Sequence, residues 1–125
     1  MTAAITAALR ACAAGLYPDE AGTELLISHG GFLHRPDFSR FVDTFASITD
    51  GTPMAQIDWQ SVHGARRDGQ LPLSGGESRI LQLAASLAAG IDVSLRDTLP
   101  GLDDRNLDLV TTAIQHAAGR RPPHP

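Results

Sequence analysis

The sequence predicts an all-α fold, a single-domain bundle of five or six short helices around a central apolar helix at about residues 75–89. Between residues 80 and 91 only Gln82, Ser86 and Gly90 are not apolar, and a helix that is apolar nearly all round belongs inside a bundle. Shorter apolar stripes at helical spacing recur along the rest of the chain, separated by Gly and Pro turns. No repeat or sustained heptad pattern accompanies them, which favours an irregular bundle.

The composition is that of one ordinary globular domain, with 125 residues of which 42% are hydrophobic and 19% charged. We expect residues 1–119 to form the domain and residues 120–125, rich in Arg and Pro, to be a disordered tail. A net charge of −4 argues against a nucleic-acid partner, because phosphate binding requires clustered cations. The single Cys12 cannot form an internal disulfide, and nothing reaches the roughly 18 apolar residues of a membrane span. We therefore expect a cytoplasmic protein without a membrane partner.

The first two helices are predicted from apolar spacing and from a proline, and the first has a modest apolar face. Ile5, Leu9 and Cys12 recur at helical spacing in a helix over about residues 2–16. Pro18 then suits the first turn of a second helix. That helix should run to about residue 28 and end at the glycine pair that follows.

A third helix is predicted after Pro36 and Asp37, which are helix start signals. Its apolar residues recur at steps of three and four, and they are Phe38, Phe41, Val42, Phe45 and Ile48. Three of the four phenylalanines would then face the core and supply most of its aromatic surface. The turn sequence at residues 49–53 should end this helix.

The fourth and central helices have clear boundaries in the sequence. Asp58 is the expected N-cap of the fourth helix, which Gly69 should end. Ser74 with Glu77 three residues later predicts a capping box at the start of the central helix. Gly90 should supply the left-handed residue at which the central helix stops.

The last third of the chain should contain one further long helix. Residues 91–95 alternate as a brief strand or a half-buried loop would, and residues 97–101 predict a turn or a single helical turn. Asp103 should cap the final helix, which Gly119 should end. Its predicted buried stripe consists of Leu107, Val110, Ile114 and Ala117.

Leu73 to Glu77 resembles the signature motif of ABC-transporter ATPases, which also leads into a helix. The resemblance implies an anion or nucleotide site at the helix N-terminus, formed by Ser74, Gly75, Gly76 and Arg79. The chain contains no lysine, however, and so lacks the Walker A loop that an ATPase of this family needs. The other explanation of Ser74 and Glu77 is that they cap the helix.

A second candidate site is a metal centre formed by His29, His34 and Asp37. Two imidazoles and a carboxylate near a glycine turn are ligand types that zinc or iron accepts. Their spacing matches no specific pattern, and both histidines can equally be capping or solvent-facing residues. We expect no cofactor.

Most of the chain resembles small actinomycete proteins that have no assigned function. The resemblance rests on residues 54–59 and on several short runs between residues 69 and 119. These runs include LPLSGGE, LAASLA, VSLRD, GLDDRN and QHAAG. It implies a bacterial protein with one intact domain, and it brings no activity or catalytic residue.

The absence of catalytic motifs favours a non-enzymatic function. There is no G-x-S-x-G nucleophile motif, and Cys12 lies on an apolar stripe, where a thiol behaves as a small hydrophobe. The leading hypothesis is a protein-interaction or oligomerisation module that forms a homodimer or binds another protein, with the first helix as the contact. The alternative is a small-anion or nucleotide-binding protein that uses the N-terminus of the central helix.

Overall fold

The structure, a computed structural model, describes residues 2–120. Met1 and residues 121–125 lie outside this range, so most of the predicted tail is not described. Arg120, the first residue of that predicted tail, is described, and its N–H donates to the carbonyl of Gln115 at 2.9 Å. The helices and strands are α1 (Thr2–Ala13), α2 (Tyr17–His29), α3 (Pro36–Ser39), β1 (Val42–Ala46), β2 (Pro53–Ile57), α4 (Trp59–Arg67), α5 (Gly75–Ala89), α6 (Leu95–Thr98) and α7 (Asp104–Ala117). A 3-10 turn, Leu99–Gly101, joins α6 to α7.

Helix α5 is the predicted central helix, and it shares the centre with α2. Residues of α5 from Ile80 to Ala85 are buried except Gln82, and the helix packs against α2, α4 and α7. Helix α2 packs against α1, α5 and α7. At Gly22 the two backbones approach closely, since a Cβ there would lie 2.5 Å from the carbonyl oxygen of Ala84. The helical-bundle arrangement therefore holds, with α2 and α5 together at its middle.

The fold is not strictly all-α, because the predicted third helix is wrong over most of its length. Only the single turn Pro36–Ser39 is helical, and the chain then forms an antiparallel hairpin of β1 and β2. Val42 pairs with Ile57, and Ala46 pairs with Pro53. Val, Thr and Phe in β1 are weak helix formers and good strand formers, which outweighs their helical spacing.

The turn sequence that was expected to end a helix instead reverses the chain between two strands. The N–H of Gly51 donates to the carbonyl of Ser47 at 2.8 Å, and Gly51 adopts a φ of 75°, which glycine reaches without strain. The N–H of Ser47 donates to the carbonyl of Thr52 at 2.9 Å. These bonds close the hairpin and fix the register of its strands.

The aromatic core differs accordingly from the prediction. Phe38 and Phe41 are buried as predicted, but the third buried phenylalanine is Phe32, which lies outside the predicted third helix. The ring centroids of Phe32 and Phe38 lie 5.6 Å apart. Phe45 is 47% exposed and Ile48 is fully exposed, so neither of these two side chains contributes to the core as predicted.

Helix α7 is capped as predicted but is rotated relative to the predicted face. The side chain of Asp103 accepts from the N–H of Asn106 at 2.8 Å. The buried residues are Asn106, Val110 and Ala113, whereas Leu107 and Ile114 are about half exposed. Helix α7 packs against α2, and Arg105 also donates to the carbonyl of His29 at 2.8 Å.

Among residues 2–120, no helix is long and apolar enough to cross a membrane.

Candidate functional site

The start of α5 forms the capping box that the sequence predicts. The Oγ of Ser74 accepts from the N–H of Glu77 at 3.1 Å, and the Oε1 of Glu77 accepts from the N–H of Ser74 at 2.9 Å. Arg35 places its Nη1 3.4 Å from the same Oε1 atom. The positive end of the helix therefore already holds a carboxylate, which complements the helix dipole.

The four residues of the predicted anion site do not share one surface. Gly76 faces α7, because a Cβ there would lie 3.3 Å from the Nδ2 of Asn106. Gly75 and Arg79 line a shallow cavity of about 250 Å³. The remaining lining residues are Ser78, Gln82, Asp97 and Thr98. Ser74 is engaged as the cap, so two of the four predicted residues meet in this cavity.

A second arginine, which is not part of the predicted anion site, reaches the same side of α5. The Nη1 of Arg66 donates to the Oγ of Ser78 at 3.4 Å. Its Nε is buried and has no hydrogen-bond partner among residues 2–120. Partial burial, with a contribution from neighbouring Arg67, holds the pKa of Arg66 below its usual range. Within the described chain neither Arg66 nor Arg79 forms an ion pair with a carboxylate, although Asp97 lines the cavity together with Arg79.

The three residues of the predicted metal site have other contacts. The Nδ1 of His29 accepts from the N–H of Gly31 at 3.2 Å, and its ring centroid lies 5.2 Å from that of Phe32. Burial, followed by the charge of Arg105, lowers the pKa of His29. In the part of the chain that the structure describes, no three His, Cys, Asp or Glu side chains are arranged to hold a metal ion. The structure therefore does not assemble His29, His34 and Asp37 into a centre.

Asp37 is bound instead by the neighbouring Arg35. The Nε and Nη2 of Arg35 donate to the two carboxylate oxygens at 2.9 and 2.8 Å. This pairing lowers the pKa of Asp37. Arg35 also donates to the carbonyl of Pro72 at 2.6 Å, so it ties the loop before α3 to the segment that leads into α5.

A cluster of ionisable side chains between α1, α2 and α7 was not predicted. Glu20 bonds to the Nε2 of His116 at 2.7 Å and accepts from the N–H of Gly15 at 2.7 Å. Arg10 donates two bonds to Glu24, at 2.9 and 2.7 Å. The four side chains line a cavity of about 190 Å³. Residues 20 and 116 are far apart in the chain, and no local pattern in the sequence connects them.

The exposed apolar side chains are the other feature without a structural explanation. Among the described residues, large hydrophobic side chains are exposed at Leu16, Tyr17, Phe45, Ile48, Leu95, Leu99, Leu107 and Ile114. Single exposed apolar residues are normal on protein surfaces. Phe45 in β1 and Ile48 in the turn that follows are both on the hairpin, and Ile48 is the most exposed of the set.

Comparison with known proteins adds no functional information. No protein-family model matches the chain, and neither a curated protein nor a solved structure resembles it significantly.

Proposed function

We propose that this protein is a non-enzymatic interaction module that self-associates as a homodimer. The observation that carries the proposal is the exposure of Phe45 and Ile48 on the hairpin, 47% for Phe45 and complete for Ile48. Exposed apolar groups that lie together are typical of interaction surfaces. A closed two-fold contact is the commonest way in which soluble proteins cover such a surface.

The polar side chains give less support to catalysis. Ser74 and Glu77 cap α5, Asp37 is held by Arg35, and Glu20 and His116 bridge two helices. Each of these groups has a partner that accounts for its position. These contacts explain the side chains by the fold alone, which favours an interaction module over an enzyme.

The contact surface that we propose is the hairpin and not α1, which the sequence had suggested. The exposed positions of α1 are mostly alanines, which offer little apolar area to bury. The charged side chain on that side, Arg10, is already paired with Glu24. Helix α1 therefore provides a poorer contact than the hairpin does.

The test is the mass of the purified protein by light scattering over a hundredfold range of concentration, up to about 1 mM, where even weak specific dimers are populated. We expect the mass to rise towards that of a dimer, and the double variant Phe45→Ser, Ile48→Ser to remain monomeric. The matched control is Ile114→Ser, an exposed apolar residue on α7, which should associate like the wild type. A constant monomer mass for the wild type would refute the proposal.

A second candidate function is the binding of a small anion beside the start of α5. The specific observation is the pair of cations, Arg66 and Arg79, near Ser78 on one side of α5. Guanidinium groups and a hydroxyl are suitable donors to phosphate. Calorimetry with inorganic phosphate and with ATP tests this candidate. Binding that Arg79→Gln weakens would support it, and no heat at millimolar anion would reject it.

A further inference from the structure

We propose that two copies of the protein pair through the free edge of β1, antiparallel and centred on Thr44, so that two hairpins form one four-stranded sheet. This inference rests on the proposed self-association and adds the surface and register by which it occurs. The occupant of the edge is a second copy of β1 (Val42–Ala46).

The backbone directions of β1 follow from two bonds at the ends of the hairpin. The carbonyl of Phe41 accepts from the N–H of Asp58 at 2.8 Å, and the N–H of Ser47 donates to Thr52 at 2.9 Å. In an antiparallel pair, alternate residues direct both backbone groups at the same neighbour. Odd-numbered residues of β1 therefore face β2, and the N–H and carbonyl groups of Val42, Thr44 and Ala46 face the open edge. No hydrogen bond within residues 2–120 uses those outward groups.

These three outward residues form a self-complementary set. When two β1 strands run antiparallel about a two-fold axis at Thr44, Thr44 faces Thr44 and Val42 faces Ala46 of the second copy. Each of these pairs is of the closely bonded kind, so the ladder contains roughly six hydrogen bonds. Every outward N–H and carbonyl of the five-residue strand thereby finds a partner.

The edge also lacks the features that normally prevent pairing between strands. Natural edge strands are blocked by proline, by lysine or by a bulge, whereas β1 has no proline or lysine and pairs with β2 without a bulge. Its one charge, Asp43, would face Phe45 of the second copy, so no two carboxylates lie directly opposite. In β2, by contrast, Pro53 removes a donor on the other edge. A hairpin of two strands is only marginally stable by itself, and pairing extends it to four.

A groove beside the open edge offers space for the second strand. Val42 and Thr44 lie on the same face as their partners Ile57 and Ala55, which are buried. On that face a cavity of about 260 Å³ is lined by Ile5, Leu33, Phe38, Ser39, Val42 and Thr44. Thr44 and Ala46 of the second copy would project onto this face. A five-residue strand pair buries less than the roughly 1,200 Å² of standard stable interfaces, so the dimer should be weak.

Hydrogen exchange measured residue by residue by NMR gives the first test. At about 20 μM and at about 1 mM protein, concentrations that bracket a weak dimer, the amides of Asp43 and Phe45 should be protected equally. Those of Val42, Thr44 and Ala46 should gain protection only at the higher concentration. This alternation is specific to edge pairing, since a contact through side chains would leave the outward amides open.

The second test removes one outward donor. Thr44→Pro deletes an N–H that the hairpin itself does not use and should raise the dissociation constant about tenfold or more, because two bonds of the ladder are lost. Thr44→Ser retains the N–H and is the matched control, expected to dimerise like the wild type. If circular dichroism shows that the proline variant is misfolded, Thr44→Lys, which sets two ammonium groups against each other at the two-fold axis, replaces it.

The outcomes separate this inference from the proposed function. A wild-type dimer whose three outward amides stay unprotected, or whose mass Thr44→Pro leaves unchanged, overturns the β1 interface and leaves self-association standing. A wild type that stays monomeric at about 1 mM, where weak dimers form, overturns both. Protection of the three amides that is independent of concentration would mean that a segment of the same chain covers the edge, which also overturns the pairing of two copies.

Discussion

Helix α5 and the β hairpin keep their shapes by different means. Both ends of α5 are fixed by its own residues, the Ser74–Glu77 capping box and the left-handed Gly90 with a φ of 71°. The hairpin is fixed by contacts outside β1, since β2 supplies its ladder and packs against α1. A segment that is specified locally can be recognised from a few residues, whereas one that is specified by its neighbours cannot. Four measurements test this difference.

The largest difference in stability is expected between alanine variants of two phenylalanines that the sequence placed in the same predicted helix. Phe38 is fully buried and contacts Phe32 and Phe41, whereas Phe45 is about half exposed. Phe38→Ala should therefore reduce the free energy of unfolding by about 3–5 kcal/mol, and Phe45→Ala by less than about 1 kcal/mol. Urea denaturation measures both. Equal losses would mean that Phe45 is buried as a continuous third helix requires.

The next effect concerns the tertiary support that α5 receives from α2. Gly22→Ala places a Cβ against the carbonyl of Ala84 and the side chain of Ala88, and should destabilise the protein by about 1–3 kcal/mol. Gly64→Ala is the matched control, because a Cβ at Gly64 in α4 meets nothing within 4 Å. That variant should gain about 0.5–1 kcal/mol from helix propensity. Thermal melting compares the two variants with the wild type. Melting temperatures that change in the same direction for both variants would contradict the close approach of α2 and α5.

A smaller effect is expected at the cap of α5. Ser74→Ala removes the hydroxyl that accepts from the N–H of Glu77 and should cost about 0.5–2 kcal/mol. Ser28→Ala, an exposed position at the end of α2, should change stability by less than about 0.5 kcal/mol. Chemical denaturation compares the two. A loss no greater at Ser74 than at Ser28 would show that the start of α5 is not locally specified.

The smallest effect is a dependence of stability on pH at the end of α2. Burial lowers the pKa of His29 in the folded state, so the unfolded state binds the proton first as the pH falls. The contribution of His29 is complete above its ordinary pKa of about 6.5 and is lost below it. Unfolding between pH 7.5 and 5.5 should thus show a modest loss of stability that His29→Gln reduces. A variant that loses stability as steeply as the wild type would argue against this role.

The sequence was most informative where one short stretch determines a conformation. Asp58, Ser74 and Asp103 act as N-caps as expected, because a cap is formed by atoms within three residues of one another. The periodic pattern failed from Val42 to Ile48, where the chain forms β1 and the following turn and where helical and strand spacings of apolar residues overlap. The buried face that the pattern predicted for α7 was also wrong, because the side of this helix that becomes buried depends on the position of α2.

The candidate sites show the same limit. The cavity beside α5 is lined by Gly75 and Arg79, which the motif suggested, whereas the contact of Arg66 with Ser78 comes from α4 and was not predicted. The bond between Glu20 and His116 joins α2 to α7 across most of the chain. Sequence reasoning could identify residue types suited to a site, but not which distant segments would be brought together. The homodimer and the relation to actinomycete proteins stay predictions.

The position of α2 between α5 and α7 determines when this chain can finish folding. Helix α2 precedes α7 in the chain by most of the domain, yet α7 (Asp104–Ala117) covers one of its sides. Chains grow from the N-terminus at about 5–20 residues per second. For several seconds during synthesis, Leu25 and its neighbours therefore lack the helix that later covers them. Closing so long a loop is entropically costly, so the docking of α7 onto α2 should be a late event in folding.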